Sequence, residues 1–376
     1  MNNVVLAMPR EADFTQGASG ILTIDLGALQ RNYRRLSKAA SPAKASAVVK
    51  ADGYGLGATT VSRALYAEGC RQFFIAHFSE ALLLRPDLPA DAQIFVLSGL
   101  LPGTEIACAT NNIIPVLNSI DQLRCWSNTA RAMKHTLPAA LQFDTGMSRL
   151  GVPPEERAAV AAALKNSSYV NIMFLMSHLA AADDPGSDQN ISQLAEMTRA
   201  ANEFPGIDLC FANSGGLFLG ADYHGVLVRP GIALYGGQPA AEMKEPMEPV
   251  ISLDVAVIQT RTVHAGARIG YSGTHIAEKE MRLATLAAGY ADGLPRSLSN
   301  RGAVYYRGVR LPIVGRVSMD SMTVDMSALP KGTLALGSHV EVIGRNQTLE
   351  DVARDAGTIS YEILTSLGQR YTRRYR

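Results

Sequence analysis

The chain has almost no excess charge. Its 35 Lys and Arg stand against 34 Asp and Glu, a net charge of +1 over 376 residues. There is no basic field of the kind that holds nucleic acid or an anionic membrane. Long apolar runs are missing too, with nothing approaching the roughly 18 residues a membrane helix needs. The opening MNNVVLAMPREADF has neither a basic leader nor a long apolar core. These absences point to a soluble protein of the cytoplasm with no nucleic-acid or membrane partner. Cysteine is scarce: Cys70, Cys108, Cys125 and Cys210 are widely spaced and never paired as C-x-x-C. That argues against a disulfide framework or a zinc cluster, so no metal site is expected and the four read as buried thiols. Internal repeats and low-complexity linkers are also absent. With 47% of residues hydrophobic and 18% charged, what remains is a packed globular chain, longer than one core usually supports.

Between residues 46 and 230 short apolar runs recur: ASAVVK, QFFIA, QIFVL, IIPVL, AALQFD, VNIMFLM, IDLCFA and GVLVRP. The segments between them have helical length and composition, for example SIDQLRCWSNTARAMK and SDQNISQLAEMTRAANEF. Near-continuous apolar strands imply a parallel sheet covered on both faces. Eight such units predict an α/β fold, an N-terminal (β/α)8 TIM-like barrel, with a doubly wound open sheet as the alternative that periodicity leaves open. Around KEPMEPV the pattern changes to β-rich segments (VISLDVAVIQTRTV, MRLATLAAGYA, GAVYYRGVRLPIVG, SMTVDMSAL), with no helix until TLEDVARDAG. The expected division is an N-terminal extension at 1–17, a barrel at 18–247 and a C-terminal mainly β domain at 248–376.

Lys50, His77, Asp144, His178, Asn213 and Arg229 each stand at or just beyond the end of an apolar run. In a barrel those ends open onto one face, where such enzymes build their sites; the competing reading is that strand ends simply meet solvent. Lys50 is followed by the turn-rich ADGYGLG. Partly desolvated, its amine would shift toward the neutral form that attacks carbonyls; otherwise it is a snorkelling surface lysine. Barrel closure would set the strand of Lys50 beside that of Arg229, a cationic rim suited to an anionic aromatic cofactor. Asn213-Ser214-Gly215-Gly216 is expected to open a helix after strand seven, and the Gly231-Ile232 backbone to offer amides to a phosphate. With neither GxxxxGK[ST] nor a strand-linked GxGxxG present, pyridoxal phosphate is favoured over a nucleotide.

AVVKADGYGLGA, FDTGMSRLG, ANSGG, VRPGIALYG, AAGYADGLPR and GRVSMDSMTVD, in that order over nearly the whole chain, resemble the motifs of the alanine racemase family. The resemblance implies an isomerase that interconverts L-alanine and D-alanine on pyridoxal 5'-phosphate. It also implies a head-to-tail homodimer whose sites use residues of both subunits. Lys50 would carry the aldimine and be one base; the partner's Tyr271, in RIGYSG, would be the other. Tyr54, Ser214, Gly231, Ile232 and Tyr361 would hold the phosphate, with Asn213 beside them, and Arg229 would face the pyridine nitrogen. His178 would mediate between Arg229 and the tyrosine. Arg149 and the partner's Met319 amide would handle the cofactor's ring oxygen and the substrate carboxylate, and Tyr290 with Tyr361 would form a gate limiting side-chain size. One base on each face of the planar centre lets a proton leave on one side and return on the other.

The sequence departs from the family at one position. Many members carry a carbamylated lysine two residues before the Asp of DTGM, where this chain has Gln142. A neutral amide cannot supply that charge, so a bound anion such as chloride, or the Gln142 oxygen itself, is expected to orient Arg149. The alternatives weighed are a broad-specificity or serine-preferring racemase on the same scaffold, a fold-related decarboxylase, and a non-catalytic pyridoxal phosphate carrier. The physiological duty is expected to be D-alanine supply for peptidoglycan or alanine catabolism.

Overall fold

In the computed structural model, residues 17–240 and 246–376 are described. The opening MNNVVLAMPREADF and all but Gly17 of the expected extension lie outside the described residues, as do Lys244 and Glu245 of the expected boundary. The described residues divide into two compact units, one within residues 25–250 and the other of residues 17–24 with 251–376.

In the first unit all eight apolar runs form strands, and they are parallel. Seven run side by side in one sheet, from Ala47–Val48 through Gln72–Ile75, Gln93–Val96, Ile113–Leu117, Leu137–Gln142 and Val170–Met176 to Leu209–Cys210. The eighth, Leu227–Val228, closes the ring. On one side the amides of Val226 and Arg229 donate to Leu209 and Ala212; on the other, Lys44, Ser46 and Val48 donate to Val226, Val228 and Pro230. Closure excludes the open-sheet alternative. Phe74, Phe95 and Phe174, from strands two, three and six, pack ring on ring at 4.7 to 6.4 Å. Strands that are not neighbours can meet this way only inside the ring, so the barrel is filled with side chains.

The helices follow from their caps and stripes. Asp25 caps Leu26–Ala40 by accepting from the Ala28 amide, and Ser119 caps Ile120–Met133 through the Gln122 amide. In the latter helix Leu123, Trp126 and Ala130 face inward at helical spacing, which leaves Cys125 on the outer face. Cys125 is therefore exposed, against the expectation of four buried thiols; Cys70, Cys108 and Cys210 are buried. The expected helix after strand seven is a single 3-10 turn, Gly216–Phe218. Gly215 and Gly216 favour no long helix, and a Cβ on Gly215 would lie 2.4 Å from the Ala182 carbonyl oxygen.

The second unit is mainly β, built on the long strand Ile251–Val263, which pairs with three others. One of these is Gly20–Ile24, antiparallel to Ile251–Val255 on one edge and parallel to Thr372–Tyr375 on the other. The expected barrel start at 18 is thus corrected to 25. Leu22 and Ile24 alternate into the core of the β unit, and Gly20 makes room for the Tyr371 ring, which a Cβ would approach to 2.5 Å. Thr348 and Asp351 form a reciprocal cap for the expected helix, Leu349–Ala356. No helix among the described residues is long and apolar enough to cross a membrane.

Candidate active site

Lys50 stands at the C-terminal end of the first barrel strand. After it, Ala51, Asp52, Gly53 and Tyr54 all adopt left-handed backbone, with φ of 53°, 53°, 63° and 57°. Only one of the four is glycine, and each of the others costs on the order of 1 kcal/mol. Several hydrogen bonds over-determine the turn. The Gly53, Gly55 and Gly57 amides donate to the Val49, Ala51 and Asp52 carbonyls, the Ala58 amide donates to the Asp52 carboxylate, and the Ala51 amide donates to Glu80 Oε1 at 2.6 Å. Burial, and then the positive charge of Arg149, push the Lys50 ammonium below the ordinary lysine value, with Glu80 opposing. The amine is biased toward its nucleophilic, proton-accepting form.

Strand eight supplies Arg229, buried and held by three carbonyls. Its Nη1 donates to the Cys210 oxygen at 2.6 Å, and its Nη2 to those of Ser177 (2.5 Å) and Phe211 (3.2 Å). Nη1 also approaches Cys210 Sγ. The Nε–H has no acceptor among the described residues, so one fixed donor is left for an outside group. His178, after strand six, is pushed down to about 3, first by burial and then by Arg229, Arg149 and Lys50, so it is neutral at ordinary pH.

The expected phosphate ligands of the barrel meet around Gly231. A Cβ there would lie 2.4 Å from the Tyr54 hydroxyl, so any larger residue would push that hydroxyl out of place. Tyr54 is buried and stacked on Tyr235, whose own hydroxyl donates to the Val48 carbonyl. Ser214 Oγ accepts from the Gly231 amide at 2.8 Å and the Ala233 amide at 3.4 Å. With both acceptor positions used, the remaining capacity of the hydroxyl is its proton, which suits an anionic oxygen. The Gly231 amide, expected to face a phosphate, is therefore taken by Ser214, while that of Ile232 has no partner among the described residues. The Asn213 side chain is engaged internally, donating to the Leu179 carbonyl and accepting from the Gly216 amide. An amine, a glycine-opened cradle with a donor hydroxyl, and a buried single-donor guanidinium together fit the aldehyde, phosphate and ring nitrogen of pyridoxal phosphate.

Of the remaining strand-end residues, Asp144 accepts from the amides of Gly146, Met147 and Ser148, shaping the loop that carries the exposed Arg149. His77 is exposed, its amide bound to Glu80. Gln142 is buried at the end of strand five. Two residues escaped the sequence reading. Glu80 joins strands one and two, and the buried Gln193 amide joins the loops of strands five and six. Gln193 donates to Thr145 Oγ1 and the His178 carbonyl and accepts from the Ala180 amide. For Glu80 a signal exists, an acidic residue three positions into a helix that follows a strand; for Gln193 there is none.

The β unit carries Tyr271, Tyr290, Met319 and Tyr361, with exposures of 70%, 43%, 53% and 41%. Chain contacts gather them. The Tyr290 and Ala291 amides donate to Ser318 and Met319, Arg316 Nη1 donates to Ser272 Oγ beside Tyr271, and Gly293 packs against the end of the helix that holds Tyr361. Arg370 pins this region by bidentate bonds to Asp292 at 2.7 and 2.8 Å and a third to Asp320.

Comparison with known proteins bears on this geometry. Residues 24–239 match the model of the alanine racemase N-terminal domain, and residues 250–375 that of the alanine racemase C-terminal domain. A catabolic alanine racemase of Rhizobium johnstonii is 66% identical over 375 residues, covering 100% of both chains. An alanine racemase of Brucella canis is 53% identical over 371 residues, 95% of this chain and 94% of that one. The crystal structure of alanine racemase from Bartonella henselae with covalently bound pyridoxal phosphate superposes with a TM-score of 0.92 at 43% identity, covering 96% of this chain and 100% of the other. The chain belongs to the alanine racemase family, isomerases that interconvert L- and D-alanine with pyridoxal phosphate as cofactor.

Proposed function

We propose that this chain racemises alanine with two bases, Lys50 of one subunit and the partner's Tyr271, in a cytoplasmic homodimer that serves alanine catabolism. The observation that carries the reading is Lys50, biased toward its neutral form, at a strand end beside the cradle of Tyr54, Ser214 and Gly231. When bound, the cofactor supplies a carbonyl for the substrate amine and an electron-withdrawing ring that acidifies the Cα proton. Tyr54, Ser214, Ile232 and Tyr361 would hold its phosphate, and Arg229 would face its ring nitrogen with a donor that keeps its own proton. Lys50 Nζ and the hydroxyl oxygen of the partner's Tyr271 hold the proton on opposite faces. A tyrosine has an unperturbed pKa of about 10 and needs help as a base. Neutral His178, lying between cations, relays that help. Arg149 and the partner's Met319 amide hold the carboxylate, while Tyr290 and Tyr361 favour alanine over larger side chains.

The exposure of Tyr271 in a single chain supports a shared site, since a base working on a desolvated centre needs a cover. The names of two relatives 66% and 60% identical, both catabolic alanine racemases, support the catabolic duty over peptidoglycan supply. Complementation tests the shared site, with racemisation read as deuterium at Cα of D-alanine formed from L-alanine in heavy water. Lys50→Ala and Tyr271→Phe are each expected to be nearly inactive alone. Unfolded and refolded together, they regain about a quarter of the wild-type activity, because half the dimers are mixed and each of those holds one intact site. No regain on mixing means that both bases come from one chain.

A further inference from the structure

We propose that Glu80 is a positioning residue for Lys50, holding in place the left-handed turn that carries it. The inference rests on reading Lys50 as the covalent anchor of the cofactor. Glu80 lies in the helix Phe78–Leu84, which follows strand two. Its Oε1 accepts from the Ala51 amide at 2.6 Å, and its Oε2 from the Ala76 and His77 amides, each at 2.9 Å. One carboxylate thus ties the residue next to Lys50 to the end of the neighbouring strand. The bonds of the Gly53, Gly55, Gly57 and Ala58 amides stay within the turn and its sequence neighbours, whereas the bond from the Ala51 amide to Glu80 reaches across to the second strand's helix. Without it the turn has a cheaper backbone available, since three of its four left-handed residues are not glycine.

The charge of Glu80 has a second effect. The groups whose charges act with Lys50 come from three elements: Arg149 on the strand-five loop, His178 after strand six, and Glu80. Arg149 is cationic and His178 is neutral at working pH, so Glu80 is the anion of the set. It counters part of what burial and Arg149 do to the Lys50 nitrogen.

Holoenzyme of wild type, Glu80→Gln and Glu80→Asp separates the two effects. Readouts are the pH midpoint of the visible band of the Lys50–cofactor adduct, the dissociation constant for added pyridoxal phosphate, kcat, KM and Tm. For Glu80→Gln the band midpoint is expected to move down by about one pH unit, because an anion near the nitrogen is gone. Its kcat is expected to fall about tenfold or more with KM within about twofold, the mark of a misplaced reacting group. Glu80→Asp, which keeps the charge and moves the oxygens, is expected to restore the midpoint but not kcat. An unshifted midpoint with unchanged kcat in Glu80→Gln overturns the proposal, as does a kcat loss that disappears when all variants are assayed well below their Tm. If Glu80→Gln does not fold, Glu80→Asp decides: wild-type kcat there is the overturning result. Lys50→Ala keeps the two readings apart. If borohydride still fixes cofactor to that variant, the assignment of the anchor fails; if it does not and Glu80→Gln behaves as wild type, only the role of Glu80 fails.

Discussion

At the scale of single residues, the barrel site is set by charges that lack the company charges usually keep. Lys50 and His178 share a partly buried space with Arg149 and Arg229, and both are driven toward their neutral forms. For His178 this has a cost that depends on pH. Its folded value, about 3, lies below the ordinary 6.5, so the unfolded chain takes up the proton first as pH falls. Stability is fully present above about pH 6.5 and is lost steadily from there toward pH 3, about 2 kcal/mol of it by pH 5. His178→Gln removes that titration. Its Tm is expected to drop less than wild type between pH 7 and pH 5 in calorimetry; an equal drop would mean that His178 takes up its proton in the folded state. Lys50 and Arg229 were legible in the sequence because a charge ending an apolar run is conspicuous. Gln193 was not, since a polar residue in an amphipathic helix reads as solvent-facing until the loop it touches is known, and for Glu80 the signal was only its place in the first turn of a helix that follows a strand.

At the scale of elements, strands were easier to read than turns. All eight barrel strands stood out as apolar runs because both faces of a parallel sheet are covered. In the β unit, Gly20–Ile24 was missed: five alternating residues carry little signal when their partners lie some 230 and 350 positions away. The turn after Asn213 was overread as a helix. The loop Asp144–Gly151 shows what sequence reading leaves out. Gly151 has φ +110°, and a Cβ there would sit 2.5 Å from the Phe143 carbonyl carbon, where the loop returns and the Val152 amide donates to Gln142. Gly151→Ala is expected to cost about 2–3 kcal/mol in urea unfolding. Because the loop carries Arg149, its KM for alanine is also expected to rise several-fold while the affinity for pyridoxal phosphate holds. Wild-type stability and KM would show that the loop tolerates both strain and crowding.

At the scale of the whole molecule, the barrel is an insertion. The chain leaves the β unit after Ile24 and returns at Ile251, and the barrel's two ends lie side by side, the Asp25 amide donating to the Val250 carbonyl at 2.8 Å. A fragment of residues 25–250 is therefore expected to fold alone. One of residues 251–376 lacks the strand that sits between Ile251–Val255 and Thr372–Tyr375, and is expected to give a poorly dispersed NMR spectrum and to aggregate. A dispersed spectrum from that fragment would make the Gly20–Ile24 strand dispensable. Its position also sets a timetable on the ribosome. Gly20–Ile24 is made before the barrel, its antiparallel partner follows only after the entire barrel, and its parallel partner emerges later still. At about 5–20 residues per second, this strand stays unpaired for some tens of seconds while the barrel is made. The nascent chain thus has an order of assembly built into it: the barrel's share of the cofactor cradle can be complete before the segment that carries Tyr271 is made.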